Sequence, residues 1–90
     1  MPVEIVIPQF LQHLTGNKKT AEVYGNTVGL CLEELTKKFP ELGEKVFDED
    51  GNITGLINVY INKKSAFPGE LEKPVADGDK IYIAYTLVGG

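Results

Sequence analysis

Thr27-Val28-Gly29-Leu30-Cys31-Leu32-Glu33-Glu34-Leu35-Thr36-Lys37-Lys38-Phe39-Pro40 is the stretch on which the fold turns. Val28, Cys31, Leu32, Leu35 and Phe39 recur at i, i+3, i+4, i+7 and i+11, so a three-turn helix carries one apolar stripe that something else must cover. Asn26 or Thr27 can accept a hydrogen bond from the first free amides, and Pro40 stops the helix after Phe39. Glu33 with Lys37 and Glu34 with Lys38 stand four residues apart on the solvent side in the favourable order, each pair worth about 0.2 to 0.5 kcal/mol.

The segments on either side of this helix read as strands. Val3, Ile5 and Ile7 repeat every second residue, which predicts a strand over residues 2–7 with one buried face, ended by Pro8. Phe10, Leu11 and Leu14 are spaced as one helical turn folding back on the core, and Gly16-Asn17 turns the chain. A second strand is expected over residues 19–24. After Pro40, residues 41–47 predict a short helical turn with Leu42, Val46 and Phe47 inward, and Asp48 to Asn52 form a polar turn. Ile57, Val59 and Ile61 alternate with Asn58, Tyr60 and Asn62 in a third strand, which closes on the turn Asn62-Lys63-Lys64. Phe67-Pro68-Gly69 breaks any continuation. The last strand is expected over residues 80–87, with Ile81, Ile83, Tyr85 and Leu87 on one face and Tyr82, Ala84 and Thr86 on the other. Both of its faces are apolar or aromatic, which predicts a central place in the sheet. The sum is an α+β roll: a mixed four- to five-stranded sheet, one main helix across one face, and a single domain over residues 1–90 without repeats or linkers.

Composition narrows the function. Ninety residues with 42% hydrophobic content can hold one modest core but no deep enclosed cleft, which weighs against a self-sufficient enzyme. One cysteine, Cys31, and one histidine, His13, leave no disulfide and no thiolate or imidazole cluster for a metal. The net charge is -4, and all nine basic residues are lysine. Nucleic acid is therefore a poor partner, since phosphate and guanine recognition favour the planar fork of arginine. No stretch nears the roughly 18 apolar residues of a membrane span and no basic leader opens the chain, so the expected location is cytoplasmic.

The chemistry is expected at Leu87-Val88-Gly89-Gly90. Two closing glycines add no packing, yet they make a thin arm with an unhindered carboxylate that an enzyme can thread through a narrow channel. Chance alone supplies such a pair in roughly one chain in two hundred.

At this point the chain resembles a known family. Val3 to Pro8, Leu14-Thr15-Gly16, Thr27-Val28-Gly29 opening the helix to Phe39-Pro40, Ile57 to Asn62, Ala76-Asp77-Gly78-Asp79 and Gly89-Gly90 follow one another as in the sulfur-carrier proteins of the ubiquitin-like β-grasp group. That group includes relatives of the molybdopterin-synthase small subunit and of the thiamine-biosynthesis carrier. The Asp50-Gly51-Asn52-Ile53 turn leading to the Asn58 to Asn62 strand looks most like carriers that feed cysteine or homocysteine synthesis. The sequence departs from the group at Tyr85-Thr86-Leu87-Val88, where many relatives carry proline and an alanine before the glycines, and at the more basic Lys63-Lys64-Ser65-Ala66.

The resemblance implies a protein co-substrate with no catalytic residue of its own and no bound cofactor. An E1-like adenylating enzyme would use ATP and magnesium to adenylate the Gly90 carboxylate, and a sulfur source would displace AMP to leave a thiocarboxylate. A sulfur-accepting synthase would receive the sulfur, either a pyridoxal-phosphate-dependent enzyme or a molybdopterin-synthase large subunit. Gly89 keeps the arm slim. Docking is expected on the sheet surface beside the tail through Tyr82, Ala84, Leu87 and Val88, with Tyr60 and Phe67 as secondary contacts. The alternative is a ubiquitin-like modifier joined through Gly90 to lysines of other proteins.

Other signals carry less. Cys31 lies on the apolar stripe and reads as packing. Asp48-Glu49-Asp50-Gly51 fails as a calcium loop, because with Gly51 sixth the first ligand would be Val46 and the twelfth Ile57. Ser65 and His13, each the sole residue of its type, have nothing to bring them together as a triad, and His13 is expected in a solvent-facing loop.

Overall fold

The computed structural model describes residues 2–85. Five strands form one mixed sheet: β1 Val3–Val6, β2 Thr20–Val23, β3 Ile57–Ile61, β4 Lys64–Ser65 and β5 Lys80–Tyr85, in the spatial order β2-β1-β5-β3-β4. β5 lies at the centre, parallel to β1 and antiparallel to β3. Strands apolar on both faces belong inside a sheet, and β5 meets that expectation.

Helix α1 spans Val28–Lys38 and α2 spans Pro40–Val46. The Thr27 hydroxyl accepts the Leu30 N–H at 3.2 Å and caps α1. Pro40 does not simply end α1: it opens α2, where a missing N–H costs nothing in the first turn. The α1 stripe is buried as expected at Val28, Cys31, Leu32 and Leu35, and Phe39 is partly buried at the helix junction. These side chains meet the inner face of the sheet at Val3, Ile5, Val23, Val59, Ile81 and Ile83. The expected ion pairs Glu33–Lys37 and Glu34–Lys38 are not formed among the described residues; the Lys38 Nζ donates instead to the Glu22 carbonyl at 2.8 Å. Glu22 faces Glu4 between the hydrogen-bonded rungs of β1 and β2, so that carbonyl points away from β1, and the lysine covers part of an open sheet edge.

Three local expectations are corrected. Residues 9–15 form a 3₁₀ helix that buries Leu11 and Thr15, while Phe10 turns outward at 44% exposure. Thr15 is tolerated inside because its hydroxyl lies 3.0 Å from the carbonyls of both Gln12 and Lys18. His13 is exposed as expected but sits on this 3₁₀ helix, not in a loop. The turn after β3 is tighter than Asn62-Lys63-Lys64, since Lys64 already pairs with Ile61 in β4. Asn62 makes that turn with φ of 55°, a left-handed conformation that asparagine tolerates.

Candidate functional site

The expected reacting residues, Gly90 and Gly89, and the tail residues Val88 and Leu87 lie outside the described residues, as does Thr86. The structure does define the surface from which they leave, because β5 runs to Tyr85.

On β5, Ile81 and Ile83 point into the core and Tyr82 and Ala84 point to the opposite, helix-free face of the sheet. The register makes neighbours of residues far apart in sequence. Tyr82 stands directly opposite Tyr60 on β3 and beside Val6 on β1, while Ala84 faces Asn58. Val6, Tyr82 and Tyr60 thus form a half-buried apolar row across three strands. Beyond β4, Ala66 is buried with its N–H donating to the Val59 carbonyl at 2.9 Å, and the following residue, Phe67, is 71% exposed with its N–H donating to Ser65 Oγ at 3.2 Å. Tyr82, Ala84 and Tyr60 therefore lie on one face, while Phe67 is exposed outside the strands, beyond the end of β4. Val6 was missed; its signal was an apolar residue at a position where the alternation of β1 calls for a polar one.

Tyr85 completes the inner-face register of β5 but lies past the edge of the core, 43% exposed, with its ring 4.5 Å from that of Phe10 in an edge-on contact. With Leu56, which is 47% exposed, these rings line a groove of about 370 Å³ bordered by Glu44 and Lys45. Phe10 reaches this place because β1 runs parallel to β5 with Val6 beside Tyr82, so the residues after β1 arrive beside the end of β5. Sequence periodicity assigned Phe10 and Tyr85 to the core side and passed over Leu56.

The far end of β5 is held by polar contacts. The Lys80 N–H donates to Asn62 Oδ1 at 3.1 Å, Asn62 Nδ2 donates to Asp79 Oδ1 at 3.2 Å, and the Ala76 N–H donates to Asp79 Oδ2 at 2.9 Å. The Ala76 amide first, and the Asn62 side chain second, hold the Asp79 carboxyl below the usual carboxylate range.

Cys31 is fully buried, with Sγ 3.5 Å from the Gly25 carbonyl. Burial, and then the charge of Glu34, push its thiol above the ordinary cysteine value, the opposite of what a nucleophilic or sulfur-transferring cysteine needs. Among the described residues no group of three His, Cys, Asp or Glu side chains could hold a metal ion, and no helix is long and apolar enough to cross a membrane.

No protein-family model matches the chain. The sulfur carrier protein CysO of Mycobacterium tuberculosis is 30% identical over 93 residues, covering all of both chains. In the crystal structure of the Amycolatopsis orientalis BexX/CysO complex, a chain 31% identical matches with a TM-score of 0.88 over 98% of this chain and 99% of that one. The small archaeal modifier protein SAMP1 of Haloferax volcanii matches with a TM-score of 0.85 at 29% identity over the full length of both chains. Identity sustained from end to end, on the same mixed sheet with β5 at its centre, means that this chain belongs to the family of CysO-type sulfur carrier proteins, with their ubiquitin-like β-grasp fold.

Proposed function

We propose that the chain carries sulfur as a thiocarboxylate on Gly90, as a co-substrate of other enzymes. The observation that carries this reading is the full-length identity with CysO sulfur carriers in a sequence that closes on Gly89-Gly90. A carboxylate at neutral pH is a poor electrophile. Attack of the Gly90 carboxylate on the α-phosphate of ATP expels pyrophosphate and leaves an acyl-adenylate; hydrosulfide or an equivalent sulfur donor then attacks the carbonyl, and AMP departs with the C–O bonding pair. ATP and magnesium belong to an E1-like adenylating enzyme, and the carrier itself holds no cofactor.

A sulfur-accepting synthase takes the sulfur next, either a pyridoxal-phosphate-dependent enzyme of cysteine or homocysteine type or a molybdopterin-synthase large subunit. The structure of CysO with BexX supports partner docking for this fold. In this reading the docking face is the helix-free side of the sheet, Tyr82 and Ala84 with Tyr60 and Val6, together with Phe67 beyond β4 and the tail residues Leu87 and Val88. The protein works in the cytoplasm, where ATP is available.

The test is the intact mass after incubation with host extract, ATP and sulfide, beside a form lacking Gly89 and Gly90. Exchange of one oxygen for sulfur, absent from the shortened form, is the expected result. Addition of a whole sulfur atom would point to Cys31 instead, and no change in the presence of a working activating enzyme would refute the reading. The likeness to SAMP1 favours one second reading, conjugation of Gly90 to lysines, which the same spectra would reveal as covalent adducts of much higher mass.

A further inference from the structure

We infer that the groove between Phe10, Leu56 and Tyr85 is a second docking point for the activating enzyme, separate from the helix-free face and receiving an apolar side chain of that enzyme. The inference rests on the proposed function, because it needs an enzyme that engages Gly90.

Six large hydrophobic residues among those described are exposed, and three of them line this one groove. Packing covers them only in part: beyond the Phe10–Tyr85 ring contact, these two keep 44% and 43% of their surfaces in water, and Leu56 keeps 47%. The groove opens on the helix side of the sheet, whereas Tyr82 and Ala84 lie on the other side, so an enzyme touching both would straddle the end of β5.

Reach argues for the occupant. Gly90 stands five positions beyond Tyr85, and a fully extended chain spans at most about 3.3 to 3.6 Å per residue, so an active site acting on Gly90 lies within roughly 17 Å of Tyr85. A protein closing around so short an arm meets the walls at its foot, and an apolar hollow there gives it something to fill. Glu44 and Lys45, one charge of each sign, border the hollow, which suits a partner whose apolar side chain is flanked by polar groups. A synthase that later takes the sulfur is subject to the same reach, but every fate of Gly90 begins with activation, so the activating enzyme is the partner common to all of them.

The experiment measures carrier-dependent ATP–pyrophosphate exchange with the host's activating enzyme, isolated by the exchange that the wild-type carrier supports. Leu56→Asp and Phe10→Ser are compared with Tyr24→Ser, an exposed aromatic outside the groove. Expected are KM values for the carrier raised about tenfold or more by the two groove variants, with kcat within about twofold and thermal unfolding unchanged, while Tyr24→Ser behaves as wild type. Both groove residues lie at the surface on different elements, so loss of folding in one variant still leaves the other to decide. Wild-type constants in both groove variants would overturn the inference alone. A lowered KM would overturn it by assigning the groove to the chain's own residues 86–90. A wild-type dimer that Leu56→Asp dissociates, seen by sedimentation, would overturn it by assigning the groove to a second copy. A carrier that supports no exchange, with or without Gly90, would overturn the proposed function as well.

Discussion

Asn62 allows the hold on β5 to be dissected into parts. Its side chain accepts from the Lys80 N–H at 3.1 Å and donates to Asp79 at 3.2 Å, and its backbone sits at φ 55°. Asn62→Gly removes the two hydrogen bonds and leaves the backbone unstrained; because both bonds are exposed and water replaces them, the cost is about 1 to 2 kcal/mol. Asn62→Ala loses the same bonds and also places a Cβ in the left-handed region, a penalty of about 1 to 2 kcal/mol. Alanine's lower unfolded-state entropy returns about 0.4 to 1 kcal/mol of that. At the mid-values of these ranges the alanine variant is therefore expected to be less stable than the glycine variant by about 0.8 kcal/mol, and to melt several degrees lower. Urea unfolding at neutral pH, followed by circular dichroism, measures both. Equal stabilities, or an alanine variant more stable than the glycine variant, would refute the assignment of backbone strain to this turn. Losses under about 0.5 kcal/mol in both would show that the hydrogen bonds contribute almost nothing. The same pair tests Asp79: its carboxyl is held low, so its contribution is present above the ordinary carboxylate pKa and is lost as pH falls through the lowered folded value. In both variants that value is expected to rise toward normal without reaching it, because the Ala76 N–H remains, and a titration followed by NMR reads this directly.

Two further outcomes follow from the packing. A methyl group at Gly43 would meet Thr36 Cγ2 and lie 2.9 Å from Thr36 Oγ1, so Gly43→Ala is expected to cost about 1 to 3 kcal/mol by forcing α1 and α2 apart. Adding Thr36→Ala should recover part of it, and unchanged stability of the single variant in urea would show that the two helices yield freely. The buried Cys31 thiol should resist iodoacetamide at pH 8 and react only under unfolding conditions. Because its folded pKa is raised, the stability linked to it is present below the ordinary thiol pKa and is lost as pH rises through the folded value. Rapid alkylation of the native protein would contradict the burial.

Elements with strong local periodicity were legible in the sequence. The stripe from Val28 to Phe39 needs only 3.6-residue periodicity to place its buried face, and β1, β3 and β5 need only alternation. Phe10 and Tyr85 show where that logic stops. Each falls on the inward side by spacing, yet each lies at the rim of the core, where the two rings cover one another only in part. Leu56 carried no periodic signal at all, because it precedes β3 in a turn.

The sequence by itself determined the α+β class, the inner faces of the main helix and of the strands β1, β3 and β5 within the core, and the central place of its last strand, since these depend on side-chain spacing within about ten residues. It also displayed Gly89-Gly90, a pair that neither helical nor strand periodicity calls for. Only the tertiary structure decided who stands beside whom: Val6 next to Tyr82 next to Tyr60 on one face, and Phe10 with Leu56 and Tyr85 at the end of β5 on the other. Those adjacencies arise from the parallel pairing of β1 with β5 across more than seventy residues, and pairing at that range is set by how all the apolar faces share one core, which no local pattern encodes.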